Sequence, residues 1–382
     1  MKNYNEVLES AGKVVEMASP KEITKIVITG GPCAGKTTAM SRINETFTQM
    51  GYAVMFVPET STELISNGVA PWRCNSGLDY QDVLLDVQLN KEKAFEKAAR
   101  VNKANKILIV CDRGMLDSKA YVSKEDFEKI LQKKSLKEME ILNSYDAVFH
   151  LVTAADGAEE FYTLANNKAR TETPEQAIEL DRKTMSAWTG HPHLRIIDNS
   201  SDFDTKMKKL IGEIASFLGE PKPYEIERKY LIKYPDLKIL ESSPYCKKID
   251  IIQTYLLSDG DEEVRVRQSG INGEYTYTKT SKKKITGLKR IEVEKRISKD
   301  EYLNYLMQAD TSKKKIRKPR NRFVYKNQYF EIDVYPFWKD KAIMEIELKD
   351  EDQKIEVPKF VNVIKEVTED DEYKNSSLAN EK

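Results

Sequence analysis

The chain has 382 residues, more than one average domain, so we expect two domains. Its 62 basic and 62 acidic residues cancel, which leaves no overall field to attract nucleic acid or a membrane surface. Four scattered cysteines without a Cys-x-x-Cys pair argue against disulfides and structural zinc and favour the cytoplasm. The first 20 residues predict a polar helical extension rather than a signal peptide, and no apolar run approaches the ~18 residues of a membrane span.

A phosphate-binding pattern follows the first predicted strand, residues 25–29. Residues 30–37 match G-x-x-x-x-G-K-[ST] in full, and a helix is predicted over 38–50. In this pattern glycines let backbone N–H groups approach phosphate oxygens, the lysine reaches the outer phosphates, and the last hydroxyl suits Mg²⁺. The helix adds its positive N-terminal end. The predicted nucleotide site comprises Gly30, Gly31, Pro32, Cys33, Ala34, Gly35, Lys36, Thr37 and Thr38.

Four more short apolar runs follow in the first half and alternate with predicted helices, such as those over 80–102 and 124–142. The runs cover residues 52–57, 106–111, 146–151 and 194–197. Such alternation predicts an α/β domain with a parallel sheet, here over residues 21–218. Because ligands bind at the carboxyl ends of parallel strands, the residues just after each run are candidate site residues.

Three charged residues follow the second and third strands. Asp112 stands where a P-loop protein needs a carboxylate for Mg²⁺, although a helix N-cap is the alternative. Arg113 is an expected nucleotide contact. Glu59 is either a substrate or metal carboxylate or an ordinary turn acid.

A basic segment follows the fourth strand and contains Arg170, with Arg182 further on. It is similar to the lid of small-molecule kinases, in which arginines stabilise the transferring phosphoryl group. A solvated charged helix is the alternative interpretation. The two histidines within residues 188–193 are interpreted as packing or base contacts rather than a metal site.

Together these segments resemble the AAA-type P-loop domain shared by nicotinamide riboside kinases and the TRPL-translocation-defect protein, over about residues 20–218. The resemblance implies binding of ATP or GTP with Mg²⁺. Residues 102–105 lack the Asp of an N-K-x-D guanine signature, and no D-x-x-G switch follows the third strand. A Ras-like GTPase is therefore not expected, while the base preference stays open.

The pattern changes at the predicted boundary between the two halves. Gly219 ends a helix predicted over 204–218, and residues 219–223 are expected to form a linker. From residue 224 onward, charged and apolar side chains alternate with the two-residue period of strands. This alternation fits an antiparallel sheet with one wet face. It also fits a closed barrel with a charged interior, where carboxylates bind divalent metal and basic residues bind phosphate. Repeated acidic doublets favour the barrel, because like charges two apart on a strand repel.

The second half resembles the CYTH family, the triphosphate tunnel metalloenzymes. The signature E-x-E-x-K is present at residues 225–229, and an ordered series of charged doublets continues it over residues 223–378. The resemblance implies an α+β domain built on an antiparallel β-barrel, or tunnel, over residues 224–382. The implied metal ligands are Glu225, Glu227, Glu292, Glu294, Asp333, Glu345 and Glu347. The implied phosphate contacts are Lys229, Arg265, Arg267, Lys279, Arg320, Arg322 and Lys374. Two helices are expected between the strands, one opened by a Ser298/Glu301 capping box and one by Pro358.

The favoured function is enzymatic and depends on Mg²⁺ or Mn²⁺. The first domain would bind ATP or GTP for phosphoryl transfer or hydrolysis, and the second would hydrolyse an inorganic or organic triphosphate. The expected catalytic residues are Lys36, Asp112, Arg170, Lys229, Arg265 and Arg267. The alternative is a nucleotide-regulated binding protein whose barrel captures an anionic ligand such as phosphatidic acid.

Overall fold

The computed structural model describes residues 21–162, 173–220, 224–258, 262–286, 289–348 and 353–380. The predicted extension over 1–20 and the basic segment with Arg170 lie outside these ranges, so those two expectations stay predictions. Within the described residues there are two separate sheets, one parallel and one antiparallel. No helix in these ranges is long and apolar enough to cross a membrane.

The first sheet has five parallel strands in the order β2-β3-β1-β4-β5. The strands are Glu22–Gly30 (β1), Ala53–Val57 (β2), Lys106–Asp112 (β3), Ala147–Leu151 (β4) and Leu194–Ile197 (β5). All five apolar runs are thus confirmed as strands. Because β1 lies between β3 and β4, the chain crosses to opposite sides of β1, and the phosphate-binding pattern directly follows this switch point.

Seven α-helices lie in the described part of this half. They are Lys36–Gln49 (α1), Thr60–Ser66 (α2), Gly77–Val101 (α3), Lys124–Lys133 (α4), Glu138–Ser144 (α5), Pro174–Trp188 (α6) and Phe203–Phe217 (α7). Short 3₁₀ helices occupy Pro71–Arg73, Met115–Ala120 and Glu159–Phe161. The helix predicted over 124–142 is two helices, because Ser135 adopts a left-handed φ of 53° between them. Gly219 follows α7 with a φ of 76°, as predicted.

Helices cover both faces of the parallel sheet, as its apolar strands require. On β1, Val27 faces a core that includes Trp188 and residues of α3, α4 and α5. Its neighbours Ile26 and Ile28 face the other core, which α1 and α7 close with residues such as Phe47. The alternation of β1 thus fixes which helices lie on each side of the phosphate loop.

The second sheet is antiparallel, with nine strands in the order β10-β9-β8-β7-β11-β12-β13-β6-β14. The strands are Tyr224–Lys233 (β6), Cys246–Tyr255 (β7), Glu262–Ile271 (β8), Glu274–Thr286 (β9), Lys289–Ile297 (β10), Ile316–Tyr325 (β11), Gln328–Asp333 (β12), Lys341–Leu348 (β13) and Val363–Glu366 (β14). β10 also pairs with β6, through residues 289–291 and 224–226. The helices are Leu237–Ser242 (α8), Lys299–Leu306 (α9) and Asn375–Leu378 (α10), with a 3₁₀ turn at Asp371–Tyr373.

The two helix predictions for this half had different outcomes. Ser298 and Glu301 form the predicted capping box at the start of α9. The helix expected at Pro358 is wrong, because the chain there makes only a turn closed by Val361 N–H donating to the Pro358 carbonyl. The preceding residues are not helical, and the Gln328 side chain at the start of β12 bonds the backbone of 354 and 356 at 2.7 and 2.8 Å. The Gln328 side chain thus bonds the carbonyl oxygen of 354 and the N–H group of 356.

The charged face of the antiparallel sheet is buried rather than wet. On β12, Phe330 and Ile332 point to one face and pack in an apolar core closed by α8 through Leu240. Glu331 and Asp333 point to the opposite face, and Asp333 is 0 % exposed. An ordinary antiparallel sheet would expose its charged side. The wet-face interpretation is therefore excluded for this strand.

A buried hydroxyl provides a test of the packing beneath the parallel sheet. Tyr145 accepts from Met115 N–H at 3.0 Å and donates to Glu92 at 2.8 Å, and Glu92 also pairs with Lys25 at 3.1 Å. Tyr145→Phe should lower the free energy of unfolding by about 1–3 kcal/mol, because buried polar groups lose a partner. Chemical denaturation measures the change. Tyr234→Phe, at an exposed tyrosine, is the matched control, and equal effects of the two variants would contradict the packing described here.

Candidate functional site

The phosphate loop turns because its backbone adopts left-handed φ angles. They are 142° at Gly30, 55° at Cys33 and 91° at Gly35. A Cβ on Gly30 would collide with the carbonyl oxygen of Leu151, so only glycine fits there. Gly35 then leads directly into α1. The N-terminal end of α1 therefore faces the loop, as an anion site requires.

Lys36 is folded back onto the loop. Its Nζ donates to the carbonyl oxygens of Gly30 at 3.3 Å and Gly31 at 3.2 Å. Burial lowers the pKa of Lys36 to about 8, and the nearby Arg113 adds to this effect. Carboxylates at the strand ends oppose the shift without cancelling it. Lys36 is thus a charged donor at neutral pH with only backbone carbonyls for partners among the described residues.

Asp112 ends β3 beside this lysine. Its Oδ1 is buried and has no hydrogen-bond partner among the described residues. Burial raises the pKa of Asp112, which Lys36 opposes. The N-cap alternative does not hold, because the next helix begins at Met115 with Gly114 as its N-cap. A buried carboxylate oxygen without a partner fits a divalent cation, with Thr37 in the first turn of α1 as the expected second ligand.

The other predicted strand-end residues form one network. Arg113 bonds Glu59 at 2.6 Å and Asp117 at 3.3 Å. Asp117 also accepts from Thr29 at 2.7 Å and from the indole N–H of Trp188 at 2.5 Å. Burial alone would raise the pKa of Glu59, but Arg113 and Lys36 lower it to about 2. Glu59 is therefore an ionised member of the site rather than a free turn acid.

Two residues at the loop were not predicted. Asp181 on α6 accepts from Gly31 N–H at 2.6 Å and from Thr153 N–H at 3.2 Å. Lys206 on α7 donates to the carbonyl oxygens of Ala34 at 3.3 Å and Val152 at 2.7 Å. The helical spacing of the buried residues 177, 181, 184 and 188 was the available signal for Asp181.

Arg182, which was predicted as a nucleotide contact, faces away from the loop. Its side chain is exposed and borders a cavity of about 810 Å³ between α6 and the start of β7. The residue beside it, Asp181, takes the inward position. The structure therefore does not bring Arg182 to the phosphate site.

The histidines of residues 188–193 make packing contacts. Trp188 packs edge-on against Tyr145, with ring centroids 5.3 Å apart. His191 contacts the Tyr145 carbonyl oxygen at 3.0 Å, and burial lowers its pKa well below the usual value. Burial also lowers the pKa of His193 to about 4. Both rings are thus neutral at pH 7.

In the second half, strand register sets acids beside bases on the buried face. Glu345 is opposite both Glu331 and Lys229 on the neighbouring strands. Lys229 bonds Glu345 at 2.6 Å and Glu227 at 3.1 Å. Arg320 bonds Glu345 at 2.7 Å and also reaches Glu331. Predicted metal ligands and predicted phosphate contacts therefore lie side by side.

The same face continues through β11 and β12. Arg320 bonds Asp333 at 2.6 Å, and Arg322 bonds Glu331 at 2.7 Å. Burial would raise the pKa of Glu331, but Arg320 and Arg322 lower it to about 2. Lys318 was missed, although it begins the alternation that Arg320 and Arg322 continue. It is buried, pairs with Asp333, and has its pKa lowered to about 8 chiefly by burial.

The arginines of β8 meet the acids of β10 across β9. Arg267 lies 3.8 Å from Glu294, which also accepts from Thr280 at 3.0 Å. Burial opposes ionisation of Glu294, but Arg267 and other cations lower its pKa. Arg265, opposite Thr280, is likewise buried, at 5 % exposure. These strands thus add cations to the buried face.

Two predicted phosphate contacts are not on this face. Lys279 lies on the other side of β9, with its Nζ 4.4 Å from the ring centroid of Tyr305 on α9. Its neighbour Tyr277 packs on Tyr302 of the same helix, so this side of β9 is covered by α9. Lys374 pairs with Asp371 in the terminal 3₁₀ turn. The resemblance implied that Lys279 contacts phosphate, but the pleat of β9 directs its side chain to the side covered by α9.

The metal prediction is not decided by the geometry. Glu225 and Glu292 lie on β6 and β10, but their side chains are outside the description. Among the described residues, no group of three or more His, Cys, Asp or Glu is arranged to hold a metal ion. The carboxylate of Glu347 pairs with Arg195 of the first half. The metal ligands of the second half therefore stay a prediction.

The loop, its lysine and the carboxylate of β3 form a candidate nucleotide site. Residues 25–206 match the family model described as an AAA domain. No curated protein matches the chain at a significant level. Among solved structures, the inorganic triphosphatase NE1496 is 27% identical, with 41% of this chain and 95% of that chain covered and a TM-score of 0.29. The PH1819 protein from Pyrococcus horikoshii OT3 is 21% identical, with 34% and 80% covered and a TM-score of 0.27. At these TM-scores the second half must be assessed from its own residues.

The lowered pKa of Lys36 gives a pH test. Phosphate binds the charged amine, so nucleotide affinity should be steady below pH 8 and fall as pH rises, by up to about tenfold per unit. The decrease in affinity should stop at the pH that exceeds the pKa of Lys36 in the nucleotide complex, where bound phosphate raises that pKa. In Lys36→Arg the guanidinium stays charged, so its affinity, whatever its absolute value, should be flat over pH 8–10. Titration calorimetry measures both, and parallel slopes would rule out Lys36 as the titrating group.

Proposed function

We propose that the first half binds ATP or GTP with Mg²⁺ and that the second half hydrolyses a short triphosphate in a charged tunnel. The observation that supports the second part most strongly is the burial of paired acids and bases on one face of the antiparallel sheet. Burying charge is costly, even in pairs, and a structural sheet would gain more from apolar residues there. A buried set of cations and carboxylates is suited to a polyanion with its metal ions.

The nucleotide part rests on the hydrogen-bond partners of two residues at the phosphate loop. Lys36 has backbone carbonyls as partners, and Asp112 has an oxygen without a partner among the described residues. Mg²⁺ held by Thr37 and Asp112 would neutralise phosphate charge. Lys36 and the loop amides would bind and orient the outer phosphates, and Arg113 would be held for them by Glu59. Whether the γ-phosphoryl group passes to water or to an acceptor is a matter for product analysis.

The tunnel rests on strand pairing. The contact of β10 with β6 joins the two sides of the sheet, so that eight strands would close in a ring and β14 would flank β6. The charged face then forms the lumen. The apolar face of β12 and its neighbours is covered from outside by α8 and residues such as Phe360. This arrangement inverts the usual barrel, whose interior is apolar.

Charge balance favours metal-assisted binding in the tunnel. Acids and bases pair on the described part of the face, so a triphosphate with about four negative charges would meet little net attraction. Metal ions would supply the missing charge, polarise the terminal phosphoryl group and activate water. Glu227, Glu345 and Glu347 would hold them. Arg265 and Arg267 would orient phosphate oxygens and stabilise the charge that develops during hydrolysis.

A regulatory binding protein is the second candidate. The complete pairing of Glu345 with Lys229 and Arg320 favours it, because these carboxylates are engaged by cations rather than left for metal. A tunnel of this kind would bind an anion without turning it over. Hydrolysis of tripolyphosphate separates the two candidates.

Lys36→Ala tests the nucleotide site. It removes a charge-assisted contact worth about 1.5–3 kcal/mol, so ATP or GTP should bind roughly ten- to a hundredfold more weakly. Titration calorimetry with both nucleotides and Mg²⁺ measures this and also determines the base preference. Lys93→Ala, at an exposed lysine of α3, is the matched control. Equal affinity in wild type and Lys36→Ala would overturn the assignment.

Phosphate release from tripolyphosphate tests the tunnel. Hydrolysis by the full chain should require Mg²⁺ or Mn²⁺ and fall at least tenfold in Glu227→Gln, whose carboxylate is a proposed metal ligand. Arg265→Ala should raise KM and also lower kcat, because its guanidinium is assigned both to phosphate oxygens and to the charge that develops during hydrolysis. Glu366→Gln, on the flanking strand β14, is the control. A folded chain that releases no phosphate with either metal would end the enzymatic proposal, and tripolyphosphate binding without release would favour the binding protein.

A further inference from the structure

The start of the phosphate loop is held from two sides by charged groups. Lys36 bonds the carbonyl oxygens of Gly30 and Gly31, while Gly31 N–H donates to Asp181 at 2.6 Å. Asp181 is nearly fully buried against the loop, and a Cβ on Gly31 would lie 2.8 Å from its side chain. A phosphate in the loop attracts Lys36 and repels the Asp181 carboxylate. Nucleotide binding therefore acts on both attachments of this segment.

Helix α6 connects Asp181 to the second half of the protein. Trp188, seven residues further along, ends the helix, so the two side chains are separated by about 10 Å of rigid helix. Trp188 donates to Asp117, which also binds Thr29 and Arg113 at the strand ends. Both ends of this stretch are thus bonded to the nucleotide site. A displacement at Asp181 is transmitted along the helix rather than absorbed within it.

The chain that leaves α6 lies on the rim of the antiparallel sheet. Gly190 accepts from Arg322 at 2.8 Å and donates to the Tyr329 hydroxyl at 3.0 Å. That hydroxyl donates to the His191 carbonyl oxygen at 3.0 Å. Two residues before the helix end, Ser186 donates to the Pro244 carbonyl oxygen at 2.5 Å. A movement of α6 must break or stretch these bonds.

The strand that follows α6 contacts a second charged residue of the antiparallel sheet. Arg195 on β5 pairs with Glu347 on β13 and lies 3.5 Å from Glu213 on α7. Glu347 is opposite Glu227 in register. A carboxylate engaged by a guanidinium is less available to a cation, since the two positive groups compete for the same oxygens. Arg195 therefore competes with metal at one edge of the proposed tunnel.

We propose that the first half restrains the tunnel through Gly190 and Arg195, and that nucleotide in the phosphate loop releases this restraint through α6. This inference rests on the proposed function, because the restrained residues are those assigned to phosphate and metal. The restrained state is the one with Asp181 on Gly31, Arg322 on Gly190 and Arg195 on Glu347. In the released state Arg322 no longer bonds Gly190 and Glu347 no longer pairs with Arg195, so both side chains can turn towards a triphosphate and its metal. Arg195 is a positioning residue in this scheme.

Tripolyphosphate hydrolysis by the full chain, with and without nucleotide, tests the coupling. An imido-bridged ATP or GTP analogue should raise turnover roughly five- to a hundredfold, the usual range of coupling between two sites. Lys36→Ala should lose this response. If the analogue acts by binding in the tunnel and competing with tripolyphosphate, its effect should instead be the same in Lys36→Ala. Arg195→Ala should raise turnover without nucleotide and lower the Mg²⁺ concentration for half-maximal rate. Arg195→Lys should restore part of the restraint, and Arg100→Ala, at an exposed arginine, should change nothing.

Hydrogen exchange of residues 186–195 gives a readout that does not depend on hydrolysis. The analogue should speed exchange there in the wild type but not in Lys36→Ala, and Asp181→Asn should resemble the nucleotide-bound state. Unchanged exchange in the wild type overturns the inference, whatever the rates. The inference is also overturned if exchange becomes faster but the hydrolysis rate changes neither with nucleotide nor in Arg195→Ala. Faster exchange in a chain that hydrolyses no tripolyphosphate upholds the coupling and ends the proposed function alone.

Discussion

The second half depends on the requirement that a buried charge has a partner. Arg320 contacts Glu331, Asp333 and Glu345, so a single guanidinium links carboxylates from two strands. Breaking one such pair costs several kcal/mol, because the remaining charge stays buried. Any ligand of this face must therefore replace the partners that it displaces. A triphosphate with metal ions can do so, since it brings anions for the bases and cations for the acids.

The first half uses the opposite arrangement at its own site. Among the residues that the structure describes, one oxygen of Asp112 has no hydrogen-bond partner, and Lys36 bonds only backbone carbonyls. Unmet hydrogen-bonding capacity at a buried position is a cost to folding that ligand binding can recover. Under the proposed function, the two halves would therefore bind phosphate in different ways. In the first half a ligand would meet a carboxylate oxygen without a partner among the described residues, and in the second half it would have to displace existing ion pairs.

Local patterns in the sequence predicted most of the secondary structure. The strands of the first half, the phosphate loop and the capping box at Ser298 each depend on neighbours within a few residues. The errors arose where distant parts of the chain decide. The alternation of side chains on β9 places Lys279 and Thr280 on opposite sides of the strand. Only the packing of α9 on Tyr277 shows that the side of Lys279 is the outer one. The choice between Asp181 and Arg182 likewise required the position of α6 against the loop.

Contacts between the two halves could not be predicted, because the periodicity and motifs of each half can be recognised without the other half. Arg322 shows why they matter: its guanidinium is divided between Glu331 of its own sheet and the Gly190 carbonyl of the first half. A neutral carbonyl holds a guanidinium less strongly than a carboxylate does, so this bond is the weaker of the two. It is also the bond that joins the sheet to the segment after α6. The weaker bond of Arg322 therefore lies where the two halves meet, while the stronger ion pair stays within the sheet.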